Sequence, residues 1–176
     1  MHIKYVESEK IAKFIIKWKL LVSKYDLYFL YPPLTIVYTS PPMSEKMLKF
    51  VEIGQQNPPK RDKNSRKEDF NEIYSEFIKG KANEQSSRCS QCGVPFCQVH
   101  CPLSNNIPDW LKLTAEGRHE EAYQLSQSTN NMPEVCGRIC PQDRLCEGNC
   151  VIEQSGHGTV TIGSIEKYIT ETAWEN

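Results

Sequence analysis

The sequence contains no run of about 20 apolar residues, so nothing in it reads as a membrane-spanning helix. Its longest uncharged stretch, residues 27–44, carries Pro32, Pro33, Pro41 and Pro42, which break a continuous helix. No G-x-G-x-x-G occurs. Gly156-His157-Gly158 lacks both a third glycine and a preceding strand, so no dinucleotide-binding turn is encoded. An excess of one charge is also missing. The 21 Lys and Arg residues against 22 Asp and Glu leave a net charge of -1, with no global pull toward nucleic acid or an anionic membrane. The first residues do not read as a secretory signal, because Glu7 and Glu9 precede an apolar stretch that lysines interrupt. The cytoplasm is therefore the expected compartment, where thiols stay reduced. No paired nucleophile and base stands out. The apolar fraction of 39% and mean hydropathy of -0.55 allow only a modest core of protein atoms.

What the chain does have is eight cysteines, all between Cys89 and Cys150. The rest of the chain divides around them. Residues 1–42 hold six Lys, three acidic residues and no Arg, Gly or Cys, and form an atypical basic head. Within it Ile11, Phe14, Ile15, Trp18, Leu21, Val22 and Tyr25 recur at helical spacing, with Lys10, Lys13, Lys17 and Lys24 between them. Three readings stay open for the head: a membrane-surface helix, a helix that packs on protein, or a non-native segment upstream of a natural start at Met43. Residues 43–66 read as an extended connector, punctuated by Pro58-Pro59, and residues 67–176 as a helical domain. Helices are predicted over Lys67–Lys79, ended by Gly80, then over Pro108–Glu116 and His119–Ser128, joined at Gly117. A last helix is predicted from Ser164 as N-cap, with Ile165, Tyr168, Ile169 and Ala173 on its apolar face. Val160–Ile162 is the one plausible strand, too short to build a sheet. Phe70, Tyr74, Trp110 and Tyr123 are expected in the core.

The first cysteine cluster, Cys89 to Pro102, has the form C-x2-C-x4-C-x3-C-P, and the second, Cys136 to Cys150, the form C-x3-C-P-x4-C-x3-C. Disulfides would need an oxidising compartment. Zinc usually takes two ligand pairs separated by a dozen or more residues, whereas here the thiols crowd into short runs. A tight run of thiolates ending in Cys-Pro is the pattern of ferredoxin-type [4Fe–4S] sites, and thiolates are soft donors suited to iron in sulfide. In two-cluster ferredoxins the Cys before Pro ligates the other cluster. That rule predicts Cys89, Cys92 and Cys97 on one cluster with a remote fourth ligand, and Cys101 on a second cluster with downstream thiols. Gly93, Gly137 and Gly148 could let backbone approach the sulfides, or serve as ordinary turns. Zinc remains the alternative chemistry.

The run Phe50-Val-Glu-Ile-Gly, Pro58-Pro59-Lys60-Arg61, both cysteine clusters and Gly163-Ser164-Ile165-Glu166 together resemble a known family. It is the N-terminal domain of the small (beta) subunit of NADPH-dependent glutamate synthase, shared with dihydropyrimidine dehydrogenase and related flavin oxidoreductases. The resemblance covers about residues 47–176. It implies an all-α, helical ferredoxin-like domain wrapped around two [4Fe–4S] clusters. It implies Cys89, Cys92, Cys97 and Cys150 as ligands of the first, and Cys101, Cys140, Cys146 and an oxygen donor, at the position of Glu166, as ligands of the second. Cys136 is then a non-ligand thiol, and Cys136 and His157 are the rivals of Glu166. His100 and His119 are expected as surface or packing residues, and Arg144 as a balance to thiolate charge. The implied role is electron transfer from NADPH-reduced FAD to the FMN of a large glutamate synthase subunit. FAD and NADPH would bind on downstream domains, so the chain reads as a fragment or one product of a split gene. The pyrimidine-reducing and ferredoxin–NADP types stand as alternatives within the family.

Overall fold

The computed structural model describes residues 47–175 apart from Ile78. The head helix and the composition break at Pro41-Pro42-Met43 lie outside the described residues, as does Ile78, which the helix expected over Lys67–Lys79 would place on one apolar face with Phe70, Ile73, Tyr74 and Phe77. Every regular element among the described residues is helical. A 3-10 turn at Lys49–Val51 precedes α1 (Ser65–Glu68), α2 (Lys79–Ser86), α3 (Phe96–Val99), α4 (Ile107–Ala115), α5 (His119–Gln127), α6 (Pro133–Ile139), α7 (Val151–Gln154) and α8 (Ile162–Glu175). The α-helical class expected from the sequence holds for these residues.

α4 and α5 form where apolar residues recur at helical spacing. Pro108 sits in the first turn of α4, where its missing amide would have no partner anyway. Gly117, at φ +76°, turns the chain from α4 into α5. Trp110 and Ala122 are fully buried between these helices. Trp110 Nε1 donates to Asn105 Oδ1 at 3.0 Å, so its one polar atom is satisfied. α8 is the central element and packs against α2, α4, α5 and α6. Its Ile165 and Ile169 are buried, each worth roughly 1.5–3 kcal/mol of transfer free energy. Where α6 crosses α8, a Cβ on Gly137 would stand 2.8 Å from Lys167 N and 2.9 Å from Gly163 O. Gly137 therefore permits backbone contact between two helices, a different task from admitting sulfide.

Several sequence expectations give way here. The helix predicted over Lys67–Lys79 is only the short α1, and the chain from Asp69 to Phe77 is non-helical. Asp69 explains the break. Its carboxylate takes two bonds from Arg61, at 3.0 and 2.6 Å, and accepts the Asn71 amide at 3.0 Å. A side chain that captures nearby donors in this way competes with helix. Arg61 holds the Asp69 carboxyl well down, to about 2. The following segment folds back on residues 59–61, with Ser75 N donating to Pro59 O and Arg61 N to Ile73 O, both at 2.9 Å. Phe70 (110%) and Tyr74 (39%) are consequently exposed and outside the core, whereas Phe77 is buried. Tyr74 instead takes the Lys60 ammonium over its ring at 5.5 Å.

Gly80 lies inside α2 and does not end a helix. α2 itself, KGKANEQS, has no apolar periodicity and buries Ala82 together with two polar side chains, Gln85 and Ser86. Gln85 earns that burial by donating to Gly54 O at 3.1 Å and accepting from Gln56 N at 2.9 Å. α8 begins at Ile162, two residues before Ser164. The Glu147 carboxylate, from a distant turn, accepts the Gly163 amide at 3.0 Å and satisfies one of the helix's first amides. Val160–Ile162 is not a strand; Val160 is buried on the approach to α8 and Ile162 is the helix's buried first residue.

Candidate functional site

The loop after α2 places the first thiols. Gln91 adopts φ +51°, unusual for a residue with a Cβ. In this conformation its amide lies 3.5 Å from Cys89 Sγ and its side-chain Nε2 3.4 Å from the same sulfur. Nε2 also donates to Pro108 O at 2.7 Å, tying the loop to α4. Ser90 Oγ meets Cys92 Sγ at 3.0 Å. α3 carries Cys97 and ends at Val99, so Cys101 escapes helical spacing and turns to a different cavity. α6 carries Cys136 and delivers Cys140 at its end, and Cys150 precedes α7.

The donors fall into two groups. Cys89, Cys92, Cys97 and Cys150 line one cavity, walled by Leu111, Ile152, Val160 and Ile162. Cys101, Cys136, Cys140, Cys146 and Glu166 line another, with Asn105, Asn130, Gln142 and Leu145. Ile162 lines both. All eight thiols are free. The donors surround volumes instead of meeting at points: among the described residues, no three His, Cys, Asp or Glu side chains come together as a single-ion site.

Burial sets the electrostatics. It pushes the Cys89 thiol up to about 11, against the opposing Gln91 donors. It pushes Cys97 up to about 12, with charge on Cys89 and Cys150 adding to the effect. Cys146 is raised by burial and by Glu147, and Cys136 is raised to about 11. The Glu166 carboxyl rises to about 7 through burial, opposed by a hydrogen bond from Asn130. Such groups resist ionisation unless a cation stands among them, and a coordinating thiol is deprotonated outright. Two sets of buried and half-buried thiols, the second with one carboxylate, thus fit metal-centred groups of several atoms.

The other candidates lie elsewhere. His157 is outside both cavities; its ring meets Phe50 edge-on at 5.3 Å and its Nδ1 meets Ser155 Oγ at 3.0 Å. His100 bonds Phe96 O at 2.9 Å and is exposed, while His119 packs on Tyr168 at 5.5 Å. Asp143 and Arg144 are exposed and line neither cavity. A Cβ on Gly148 would run into the Asp143 carbonyl, and one on Gly93 would meet nothing within 4 Å. Sequence reasoning missed Gln91, Asn130, Gln142 and Arg88, polar residues in segments without periodicity.

The family described as dihydropyrimidine dehydrogenase domain II, 4Fe-4S cluster, matches residues 66–176, and the chain belongs to that family. It is an iron–sulfur domain of the oxidoreductase class. Among individual proteins, it is 70% identical over 132 residues to the glutamate synthase [NADPH] small chain of Azospirillum brasilense, covering 75% of this chain and 27% of that one. It is 50% identical over 133 residues to the protein of the same name in Escherichia coli (strain K12), covering 76% and 28%. It is also 49% identical over 110 residues to an E. coli protein named as an oxidoreductase, AegA, covering 62% and 16%. The chain thus spans about a quarter of the length of the small chains it matches. No helix among the described residues is long and apolar enough to cross a membrane.

Proposed function

We propose that the chain is the electron-transfer module of an NADPH-dependent glutamate synthase small subunit and carries two [4Fe–4S] clusters. The observation that carries this reading is the sorting of the donors against sequence order. Cys150 joins Cys89, Cys92 and Cys97, while Cys101, only four residues from Cys97, faces Cys140, Cys146 and Glu166. In this reading Cys89, Cys92, Cys97 and Cys150 hold one cluster, and Cys101, Cys140, Cys146 and Glu166 hold the second. When bound, the clusters supply one-electron carriage between FAD reduced by NADPH and the FMN of a large subunit, where 2-oxoglutarate and glutamine-derived ammonia become glutamate. The protein's part is ligation, spacing and tuning. The Gln91 amides lend partial positive charge to Cys89, which favours the reduced state. Leu111, Ile152 and Val160 keep water from the first set. Ile162 sets the separation between the two. The partners are a flavin- and NADPH-binding domain, on the same or a separate polypeptide, and the large subunit, in the cytoplasm. Nucleic acid is not a partner in this reading.

The similarity to AegA favours a second reading, an iron–sulfur domain serving another oxidoreductase. A zinc-stabilised interaction module is the remaining alternative. Anaerobic reconstitution with iron and sulfide separates the chemistries, with about eight irons per chain and a broad absorption in the visible blue expected for two cubane clusters. Stoichiometric zinc without colour refutes the clusters. Cys140→Ala should lose one cluster's iron and Cys136→Ala should lose none; equal losses overturn the ligand assignment. Supplied with the flavin domains and the FMN-bearing subunit, the loaded chain should support glutamate formation from NADPH. Failure there, with transfer to another acceptor, moves the chain to the second reading.

A further inference from the structure

The second donor set poses a chemical problem. Cys136 lines the same cavity as Glu166, and a thiolate is the softer donor for iron. Something must hold the carboxylate in place for it to be chosen. Asn130, in the turn before α6, is 3% exposed and lines that cavity. Its Nδ2 donates to Glu166 Oε1 at 3.1 Å. Its Oδ1 accepts the Met132 amide at 3.0 Å, which fixes the amide so that the NH2 group faces Glu166 and also bonds the Cys136 sulfur beside it. Among the described residues, Asn130 is the one hydrogen-bond donor to the Glu166 carboxylate. Gln142 holds the other side, with Nε2 donating to the Cys136 carbonyl at 2.8 Å.

We propose that Asn130 is a positioning residue, which aims Glu166 at the second cluster and so keeps Cys136 off it. The proposal rests on the reading of Glu166 as the oxygen donor. An outer partner that orients a ligating group typically changes metal affinity about 10- to 100-fold when it is removed. Asn130 should also draw electron density from the carboxylate and hold the cluster potential above that of an unsupported carboxylate site.

The test uses the full chain, reconstituted anaerobically, as wild type, Asn130→Ala, Asn130→Asp and Glu166→Ala. The readouts are the paramagnetic signature and midpoint potential of each cluster, iron loss to a chelator, and alkylation of Cys136 by iodoacetamide, followed by mass spectrometry. In the wild type Cys136 should alkylate, slowly because its thiol is raised to about 11, while both clusters stay bound. In Asn130→Ala the second signature should change, its iron should be lost about tenfold faster or more, and Cys136 should become protected as it takes over ligation; protection without the changed signature reports only the lost Asn130–Cys136 bond and overturns the proposal. Asn130→Asp, nearly isosteric, replaces a donor by an acceptor and should lower the second potential while leaving the first unchanged; it carries the test if Asn130→Ala does not load. Wild-type signature, potential and Cys136 reactivity in the loaded Asn130 variants overturn the proposal. If Glu166→Ala alters the second signature while the Asn130 variants do not, only the positioning role fails. If Glu166→Ala is silent, the ligand reading fails and the positioning role with it.

Discussion

Replacing Arg88 with alanine should accelerate unfolding far more than a typical substitution. Arg88 is fully buried next to Cys89, and it makes no ion pair among the described residues. Its guanidinium is satisfied by carbonyls. Nε donates to Ile53 O at 2.8 Å, Nη2 to His157 O and Gly158 O, each at 2.8 Å, and Nη1 to Thr159 O. One side chain thus fastens the turn at residue 53, the first cysteine loop and the approach to α8. In Arg88→Ala, water can reach the exposed His157 carbonyl, which leaves Thr159 as a fully buried orphan and the half-buried Ile53 and Gly158 carbonyls as partial ones, together equivalent to about two orphans. At about 1–3 kcal/mol for each orphaned acceptor, the cost is about 2–6 kcal/mol, centred near 4. Cluster loss makes unfolding irreversible, so the useful quantity is a rate. If the contacts are absent from the transition state, about 4 kcal/mol corresponds to unfolding roughly a thousandfold faster. The assay is far-UV circular dichroism of the anaerobic, cluster-loaded chain after a jump into urea. Arg88→Lys keeps the charge but has no fork, so its rate should fall in between. Acceleration below about tenfold in Arg88→Ala would refute the idea that this guanidinium holds the three segments together.

Two further outcomes follow from the packing. Gly137→Ala should cost about 1–3 kcal/mol, because the atoms it meets are the α8 backbone, which cannot yield without parting α6 from α8. In the proposed ligand assignment, where α6 leads to Cys140 and α8 carries Glu166, iron of the second set should be lost first, whereas Gly93→Ala, which meets nothing within 4 Å, should be neutral in a thermal melt. His119 is held below its ordinary value by burial and, secondarily, by Lys79. The fold therefore prefers the neutral ring. Its contribution is present above about pH 6.5, the unfolded value, and is lost as pH falls below that through the lower folded value. Melting temperature should drop between pH 7.5 and 5.5, and His119→Gln should flatten that slope; an unchanged slope removes His119 as its source.

The family's chemistry is legible in the sequence because it depends on covalent spacing. Thiols crowded into two short runs, each with a Cys-Pro step, point to iron–sulfur ligation without any knowledge of packing. α4 and α5 are legible for a similar reason: the spacing of Trp110, Leu111, Ala122 and Leu125 records which face each helix buries, and Gly117 records the turn. Phe70 and Tyr74 misled because apolar residues at helical spacing carry no information about Arg61, whose grip on Asp69 breaks the helix they seemed to define. α2 was invisible because its buried face is polar, and Gln85 tolerates burial only where Gly54 and Gln56 arrive to bond it. Arg88, Asn130 and Gly137 belong to the same class. A buried guanidinium needs four carbonyls, a buried amide needs a distant carboxylate, and a helical glycine needs a second backbone at contact distance. Sequence by itself determines which atoms can bind iron and where helices pay no penalty. The tertiary structure decides which polar groups go inside, since their burial is tolerated only by partners that the chain brings from far along its length.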